Sequence, residues 1–424
     1  MGRGFRIFLV CLLGFCVLFG AFCIVWPLVH QPEADGPADP QPPSEQPDDS
    51  VREPSDPDAG AGYAPEESTA TAATEAQLRA QALVQDMTLR EKVYQLFIVT
   101  PEALTGVNTA TVAGEATRAA IEAQPVGGII YFSKNLVDRE QAAAMLANTQ
   151  SYAKIPLLLS VDEEGGMVSR VGANPAMGTT SFSNMADYGE AADPQKVYEI
   201  GETLGSELLA LGFNLDFAPV ADVVTNPANT EIGRRSFSSD PYVAARMVGS
   251  MVSGMKDAGI LSTLKHFPGH GGTAADTHNG ISVTNRTLEE MRQAEFLPFQ
   301  AGIEAGAPMV MVGHLSAAAV NGDNTPSDLS KRIVTEILRQ ELGFEGVIVT
   351  DAQNMGAITD AYSSAEAAVG ALEAGVDLIL MPADLTEAAD GVLAAVADGR
   401  LSNERINESV IRILAMKYDY GILS

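Results

Sequence analysis

The sequence predicts an α/β fold: a (β/α)8 TIM barrel that is preceded by an N-terminal transmembrane helix and a disordered linker. Two observations predict the barrel. Eight short runs of apolar and β-branched residues alternate with helical patterns across residues 78–424, and five of these runs end in polar or charged residues. We therefore expect three parts, which are an anchor at 1–30, a linker at 31–77 and one barrel domain at 78–424.

The predicted strands are short and evenly spread along the third part. They cover residues 97–100, 127–132, 157–162, 213–222, 262–267, 309–314, 346–351 and 378–382. Helical patterns lie between them at 139–152, 194–211, 241–258, 288–305, 331–342 and 365–374. Gly212, Gly259, Gly343 and Gly375 stand where a helical pattern stops before a strand. An open doubly wound sheet is the alternative, but no G-x-G-x-x-G motif follows the first strand.

The first 30 residues are typical of a membrane anchor. Residues 7–29 form an uncharged stretch of 23 residues, which as a helix would span a hydrocarbon core of about 30 Å. Arg3 and Arg6 precede this stretch, so we expect the N-terminus to stay inside and the remainder to be exported. A cleaved signal peptide is the alternative, although the stretch is long and no small-x-small cleavage site is clear. The expected location is the cell membrane with an extracellular domain, or the medium if the segment is cleaved.

Charge and cysteine content exclude several classes of partner and site. The 424 residues carry a formal net charge of −29, which disfavours nucleic acid as a partner because phosphate backbones would repel it. Residues 31–77 contain nine Pro and twelve Asp or Glu but one basic residue, Arg52, which predicts a disordered spacer. All three cysteines lie in the apolar stretch, so the third part has no disulfide, Cys nucleophile or thiolate metal site.

Polar residues stand where the predicted strands stop, although such residues would be costly inside an apolar core. They are Asp162, Asp216, Asp222, Lys265, His266, His314 and Asp351. In a barrel these side chains would meet at one mouth, where active sites of this fold lie.

The segment from the end of the fifth strand reads KHFPGHGGTAADTHNG and is predicted to be a loop, because four Gly and a Pro interrupt it. His266 and His270 have the spacing of a helical metal motif, but Pro268 between them removes the helix, so we expect no metal there. Asp276 is close to His278, and a carboxylate beside an imidazole suits a general acid/base.

Asp351 ends the apolar run of the seventh predicted strand. A carboxylate at that position would face the mouth and could act as a nucleophile, as a retaining glycosidase requires. The alternative is a structural role as the N-cap of the next helix.

Six sequence blocks in order resemble the β-N-acetylhexosaminidase branch of family 3 glycoside hydrolases. They are MTLREKVYQLF from Met87, DEEGG from Asp162 with Arg170, NLDFAPVADV from Asn214, IGRRSF from Ile232, KHFPGHG from Lys265, and Asp276-Thr277-His278. Many family members carry a second Asp after the nucleophile, where this chain has Ala352. Two-domain members take a Glu acid from a further domain, whereas the His-containing loop favours the hexosaminidase branch.

The resemblance implies a role for each matching residue. Asp351 would be the nucleophile and His278 the acid/base, supported by Asp276. The sugar would be bound by Asp162, Arg170, Arg235, Lys265 and His266. No cofactor and no metal are implied.

The sequence therefore predicts a retaining β-N-acetylhexosaminidase that removes N-acetylglucosamine, with peptidoglycan fragments as the expected source. Its expected partners are a carbohydrate substrate and, through the N-terminal helix, a membrane. The alternatives are a glycosidase or phosphorylase with another sugar specificity, and a catalytically silent module that binds cell walls.

Overall fold

Eight short strands, each followed by at least one helix, form the fold in a computed structural model that describes residues 73–273 and 280–424. The strands are β1 (Phe97–Val99), β2 (Gly128–Ile130), β3 (Leu158–Val161), β4 (Leu215–Asp216), β5 (Thr263–Phe267), β6 (Met309–Val312), β7 (Val347–Thr350) and β8 (Ile379–Leu380). The first helices are α1 (Glu75–Gln85), α2 (Leu89–Gln95), α3 (Pro101–Thr105), α4 (Glu115–Ala123), α5 (Arg139–Ser151), α6 (Met185–Ala191), α7 (Pro194–Leu211) and α8 (Pro241–Ala258). They are followed by α9 (Leu288–Gln293), α10 (Phe296–Glu304), α11 (Ala318–Asn321), α12 (Gly356–Thr359), α13 (Ser364–Ala374), α14 (Leu385–Ala397), α15 (Asn403–Asp419) and a π-helix (Arg332–Glu341).

Local signals in the sequence explain where many helices begin and end. Four helices start with a capping box, in which a Thr or Ser side chain accepts from the amide of a Glu or Gln three residues later. Helix α7 ends at Gly212 and α13 at Gly375, with φ of 106° and 110°. These left-handed conformations favour glycine, and they turn the chain directly into the next strand.

The strands form two parallel sheets, and the predicted closed (β/α)8 barrel is wrong. Strands β4, β3, β2, β1 and β8 pair in that order in a five-stranded sheet, and β5, β6 and β7 form a separate three-stranded sheet. The architecture is an α/β fold with a curled parallel sheet, a half-barrel, and not one closed ring of eight strands.

The two sheets meet through isolated bridges instead of continuous ladders. Leu215 and Val220 bridge to Leu261 and Lys265 on one side, and Val349 bridges to the segment before β8 on the other. β4 and β8 are only two residues long, and Pro219 follows β4 without an amide hydrogen to donate. A regular ladder between β4 and β5 is therefore interrupted, although the strand ends still come close together.

Each predicted strand segment contains an observed strand, whereas two predicted helices differ from the structure. The 288–305 pattern is split into α9 and α10 around Ala294 and Glu295, and the 331–342 pattern forms the π-helix. Helix α1 begins at Glu75, so it takes in the end of the segment predicted to be a linker.

The predicted anchor at 1–30 and most of the predicted linker at 31–77 lie outside the described residues. Among the residues that are described, no helix is both long enough and apolar enough to cross a membrane.

Asp377 ties the two sheets together at the amino-terminal end of β8. Its buried carboxylate lies 2.7 Å from Arg339 and 2.9 Å from Arg412, and it accepts from the Ser409 hydroxyl at 2.7 Å. The same carboxylate accepts from the amide of Ile348 in β7 at 3.1 Å. One side chain thus connects β7, β8, the π-helix and α15.

Replacing Asp377 with Ala should lower the free energy of unfolding by about 3 kcal/mol, because it leaves partly buried arginines without their counter-charge and the Ser409 hydroxyl without its acceptor. Urea unfolding followed by circular dichroism measures this loss. The control is Asp390→Ala, which removes an exposed Asp from α14 and should change stability by less than about 0.5 kcal/mol. Equal stability of the two variants would contradict a role for Asp377 at the junction.

Candidate active site

A cavity of about 440 Å³ opens at the carboxyl ends of the strands. Six of the eight residues predicted for the site line it: Asp162, Arg170, Arg235, Lys265, His266 and Asp351. The other two, Asp276 and His278, lie within 274–279, outside the described residues. The structure thus brings the predicted sugar-binding residues and the predicted nucleophile to one place, while their roles stay a prediction.

A buried ion-pair network forms one wall of the cavity. Glu164 accepts from Arg235 through two hydrogen bonds of 2.8 and 2.9 Å, and its Oε1 lies 2.6 Å from the Lys265 Nζ. Lys265 also donates to Asp162 at 2.8 Å. Glu164 and Lys265 are almost completely buried, whereas Asp162 is partly exposed to the cavity. The network therefore holds both cations rigidly and leaves Asp162 accessible.

The charges in this network stabilise one another's ionised forms. Burial raises the pKa of Glu164, but the adjacent Lys265 and Arg235 outweigh it and hold that pKa far below its ordinary value. Burial lowers the pKa of Lys265, but the Asp162 and Glu164 carboxylates reverse that effect and raise it. Glu164, Lys265 and Arg235 are consequently charged at neutral pH, and the two cations can donate hydrogen bonds to sugar oxygens.

Arg170 is positioned through its backbone by the buried carboxylate of Glu163. Glu163 accepts from the amides of Arg170 and Val171 at 2.7 Å each and from that of Gly172 at 3.1 Å. The guanidinium of Arg170 lies 5.7 Å from the centre of the Phe132 ring. The turn thus presents the Arg170 side chain to the cavity.

Asp222 positions His266 and the loop that follows it. Its Oδ2 accepts from His266 Nδ1 at 2.8 Å, and its Oδ1 accepts from the amide of His270 at 2.6 Å. Burial raises the pKa of Asp222, but the two imidazoles outweigh it, so the pKa is lowered. Because the carboxylate holds Nδ1–H, the opposite nitrogen of His266 is the one available to the cavity.

Close backbone packing fixes the loop from Pro268 to Thr273. Gly271 packs so tightly on the Val223 carbonyl that an added Cβ would lie 2.0 Å from its oxygen. Asn229 donates to the carbonyl of His270 at 2.8 Å. On the far side of the undescribed residues, Thr284 donates through its amide to Ser316 at 2.9 Å. The described residues on both sides of 274–279 are therefore held by close packing and hydrogen bonds.

Asp351 lies directly after β7, and its carboxylate is held by the next peptide. Its Oδ1 accepts from the amide of Ala352 at 2.8 Å. Burial raises the pKa of Asp351, but the charges of His266 and His314 outweigh it, so the pKa lies below the ordinary value. The side chain is therefore ionised at neutral pH, as a nucleophile must be.

Sequence reasoning did not assign roles to Glu163, Glu164 and Asp222, which hold the predicted residues in place. A signal was present, because all three acids follow apolar strands and Glu164 lies in the DEEGG block. His266 and His270, which have the spacing of a metal motif, contact other side chains: His266 contacts Asp222, and His270 Nδ1 lies 3.1 Å from the Thr273 hydroxyl. Within residues 73–273 and 280–424, no group of three His, Cys, Asp or Glu side chains could hold a metal ion.

Replacing Glu164 with Gln should lower the free energy of unfolding at pH 7 by about 3 kcal/mol, because Lys265 and Arg235 lose the buried carboxylate that they share. Since the pKa of Glu164 is depressed, this stabilisation is full above its ordinary value of 4.5 and is lost as pH falls further. Urea unfolding between pH 3.5 and 7.5 should therefore show that the difference in stability between the unmodified protein and Glu164→Gln becomes smaller as the pH falls. Glu190→Gln, at the exposed pair with Arg234, is the matched control and should change stability by less than about 1 kcal/mol. A Glu164→Gln protein as stable as the control would contradict the assignment.

Comparison with known proteins identifies relatives with the same fold. The family model "Glycosyl hydrolase family 3 N terminal domain" matches residues 88–416. Beta-hexosaminidase A of Pseudoalteromonas piscicida is 34% identical over 320 residues, which are 69% of this chain and 53% of that protein. Beta-hexosaminidase of Stenotrophomonas maltophilia K279a is 37% identical over 262 residues, or 60% of this chain and 76% of that protein.

Solved structures give the same result. A glycoside hydrolase family 3 β-N-acetylglucosaminidase from Paenibacillus sp. str. FPU-7 superimposes with a TM-score of 0.74 and 40% identity, covering 79% of this chain and 63% of that one. The chain thus spans about half the length of the first curated relative and less than two thirds of this structural neighbour. The predicted resemblance is confirmed, and with three quarters of its length matched by the family model, the chain belongs to glycosyl hydrolase family 3.

Proposed function

We propose that this protein hydrolyses terminal, non-reducing N-acetyl-β-D-hexosaminides with retention of configuration. The observation that carries this proposal is the position of Asp351, an ionised carboxylate at the end of β7 that lines the same cavity as Asp162, Lys265 and Arg235. The relatives reported above are named as hexosaminidases, which supports the choice of sugar.

The cavity residues divide into a nucleophile and a set that binds hydroxyls. Asp162 is accessible from the cavity, so its carboxylate can accept hydrogen bonds from two hydroxyl groups of one sugar ring. Lys265, Arg235 and Arg170 can donate to sugar oxygens on the same side. These hydrogen bonds would place the anomeric carbon next to Asp351. Holding the sugar in this orientation lowers the barrier to attack by the carboxylate.

The reaction proceeds as a double displacement. The Asp351 carboxylate attacks the anomeric carbon and forms a glycosyl ester, while the glycosidic bond breaks and the leaving oxygen takes a proton. Water then attacks the same carbon, gives up a proton, and releases the sugar and the free carboxylate. His278 with Asp276 is the proposed proton donor and acceptor. This assignment rests on the sequence, because both residues lie outside the described ones.

We infer an exported location and peptidoglycan fragments as the source of the sugar. The uncharged segment at 7–29 and the absence of Cys from residues 78–424 support export. An enzyme outside the cytoplasmic membrane would meet wall fragments that carry terminal N-acetylglucosamine. Protease treatment of intact cells tests the location, because it should degrade the domain without lysis; protection until lysis would contradict export.

Replacing Asp351 with Asn should reduce kcat on an aryl N-acetyl-β-glucosaminide by about 10⁴-fold or more, because no covalent intermediate can form. Asp360→Asn is the matched control, since it makes the same change at an exposed residue of the same loop and should keep normal turnover.

Asp351→Ala separates a nucleophile from a residue that only supports the fold. Azide fits the vacated space and should attack the same face of the sugar, which gives a glycosyl azide of inverted, α configuration. Near-normal hydrolysis by Asp351→Asn, or no azide product from a folded Asp351→Ala protein, would overturn the nucleophile assignment.

A panel of aryl glycosides should resolve the sugar specificity. We expect hydrolysis of the N-acetyl-β-glucosaminide, and a kcat/KM at least about 100-fold lower for the β-glucoside, which lacks the acetamido group. The panel is run with and without inorganic phosphate, and with EDTA, which should have no effect. Release of a sugar phosphate in place of free sugar would show a phosphorylase, and binding without turnover would show a silent wall-binding module.

A further inference from the structure

A completely buried ion pair lies behind Asp351 and is not used by the mechanism above. His314 follows β6 and Asp328 lies in the short turn Ser327–Leu329, and neither side chain has any exposed surface. The His314 Nδ1 is 3.1 Å from the Asp328 Oδ1. Neither residue lines the cavity. The pair therefore does not contact a bound sugar directly.

The structure leaves the Asp328 carboxylate dependent on this imidazole. Among the described residues, no other donor is placed to hydrogen bond to either of its oxygens. A buried carboxylate without a cation or several donors is strongly destabilised, so the pairing requires a protonated His314. Ser327 fastens the turn, because its hydroxyl donates to the Leu315 carbonyl at 2.6 Å and keeps Asp328 beside the strand.

The opposite edge of the imidazole reaches the residue that holds Asp351. His314 Nε2 lies 2.9 Å from the carbonyl oxygen of Ala352, and the amide of Ala352 donates to the Asp351 carboxylate at 2.8 Å. With both ring nitrogens protonated, His314 contacts Asp328 and Ala352 at once. A continuous path of contacts thus runs from Asp328 to the nucleophile.

The charges that face Asp351 come from two neighbouring strands, β5 and β6. His266 and Lys265 approach from β5 and its end, and His314 approaches from the end of β6. Around His314 itself, burial lowers its pKa, but Asp328, Asp351 and the Ala352 carbonyl outweigh that effect and raise it to about 9. His314 is thus charged across the pH range in which Asp351 must be ionised.

We propose that His314, held protonated by Asp328, is a positioning residue that fixes the Ala352 peptide and supplies a positive charge behind the nucleophile. This inference rests on the proposed role of Asp351 as the nucleophile. According to this proposal, the His314–Asp328 pair affects the reaction as well as the stability of the fold.

The kinetic test compares Asp328→Asn and His314→Gln with Asp323→Asn. The last variant makes the same chemical change at an exposed Asp of the same connection. In the first two variants the acid limb of the kcat/KM profile should move up by about one pH unit, because Asp351 loses a nearby cation. KM on the pH plateau should stay within about twofold, since the pair does not touch the sugar, while kcat falls. Asp323→Asn should keep the profile of the unmodified protein.

A purely structural role would lower the unfolding temperature of these variants and leave the acid limb in place, which would overturn the proposal. Failure of this inference is distinct from failure of the proposed function. Hydrolysis by the unmodified protein but not by Asp351→Asn would support the proposed function. If the acid limb of the kcat/KM profile were then unchanged in folded Asp328→Asn and His314→Gln, only the role of His314 would be rejected.

A second measurement uses the unmodified protein and does not require the variants to be active. The chain has five His residues, so ¹⁵N-histidine labelling gives few signals. The His314 signals are assigned by their loss in His314→Gln or, if that variant does not fold, by replacing the other four in turn. Imidazolium shifts that persist to pH 8 are expected, and a neutral His314 at pH 7 would overturn the proposal.

Discussion

The geometry of the cavity depends on the Glu164 carboxylate. It joins Lys265 in β5 to Arg235 in the turn after β4, and it follows β3 itself. Segments that belong to two different sheets are thereby fixed relative to one another at the edge where their ladders are interrupted. Desolvating this carboxylate costs several kcal/mol, and only the two cations facing it offset the cost. The ion pairs thus replace the regular hydrogen bonding that the short β4 does not supply.

Buried carboxylates recur around the cavity, where they hold residues that line it or lie directly behind it. Glu163 fixes the turn that carries Arg170, Asp222 holds His266, and Asp328 faces His314 behind the nucleophile. A long cationic side chain loses rotamer entropy when it binds a ligand, and a fixed partner removes much of that cost beforehand. Rigid positioning also keeps donors aimed at places where charge develops during the reaction.

How much of this the sequence predicts depends on whether a feature is local. Strand ends and helix ends follow from runs of a few residues, so Asp162, Lys265 and Asp351 are placed correctly at one mouth. Closure of the sheet is not local, because it depends on pairing between β4 and β5, where Pro219 and a two-residue strand interrupt the ladder. The expected closed barrel was wrong for that reason.

Partner choice is equally hidden from sequence patterns. The DEEGG block shows that acids follow β3, but not that Glu164 faces two cations while Asp162 faces the cavity. Asp328 carries no pattern at all, since it lies in a turn and becomes significant only because the fold brings it 3.1 Å from His314. Residues that position other side chains are identified from distances in the structure, whereas residues at strand ends are identified from their position in the sequence.

The balance of charge within the cavity contrasts with the acidity of the chain as a whole. The net charge is −29, yet the cavity wall contains the cations Arg170, Arg235 and Lys265 as well as carboxylates. Lys265 and Arg235 are each paired with nearby acids, and the three cations are balanced by the carboxylates of Asp162, Glu164, Glu231 and Asp351, so the site has no excess positive charge to attract an anion. Such a surface suits a neutral ligand with many hydroxyl groups, because every hydroxyl can both donate to a carboxylate and accept from a cation. The apolar part of the wall, which includes Ile130 and Phe132, can then contact the carbon face of the ring.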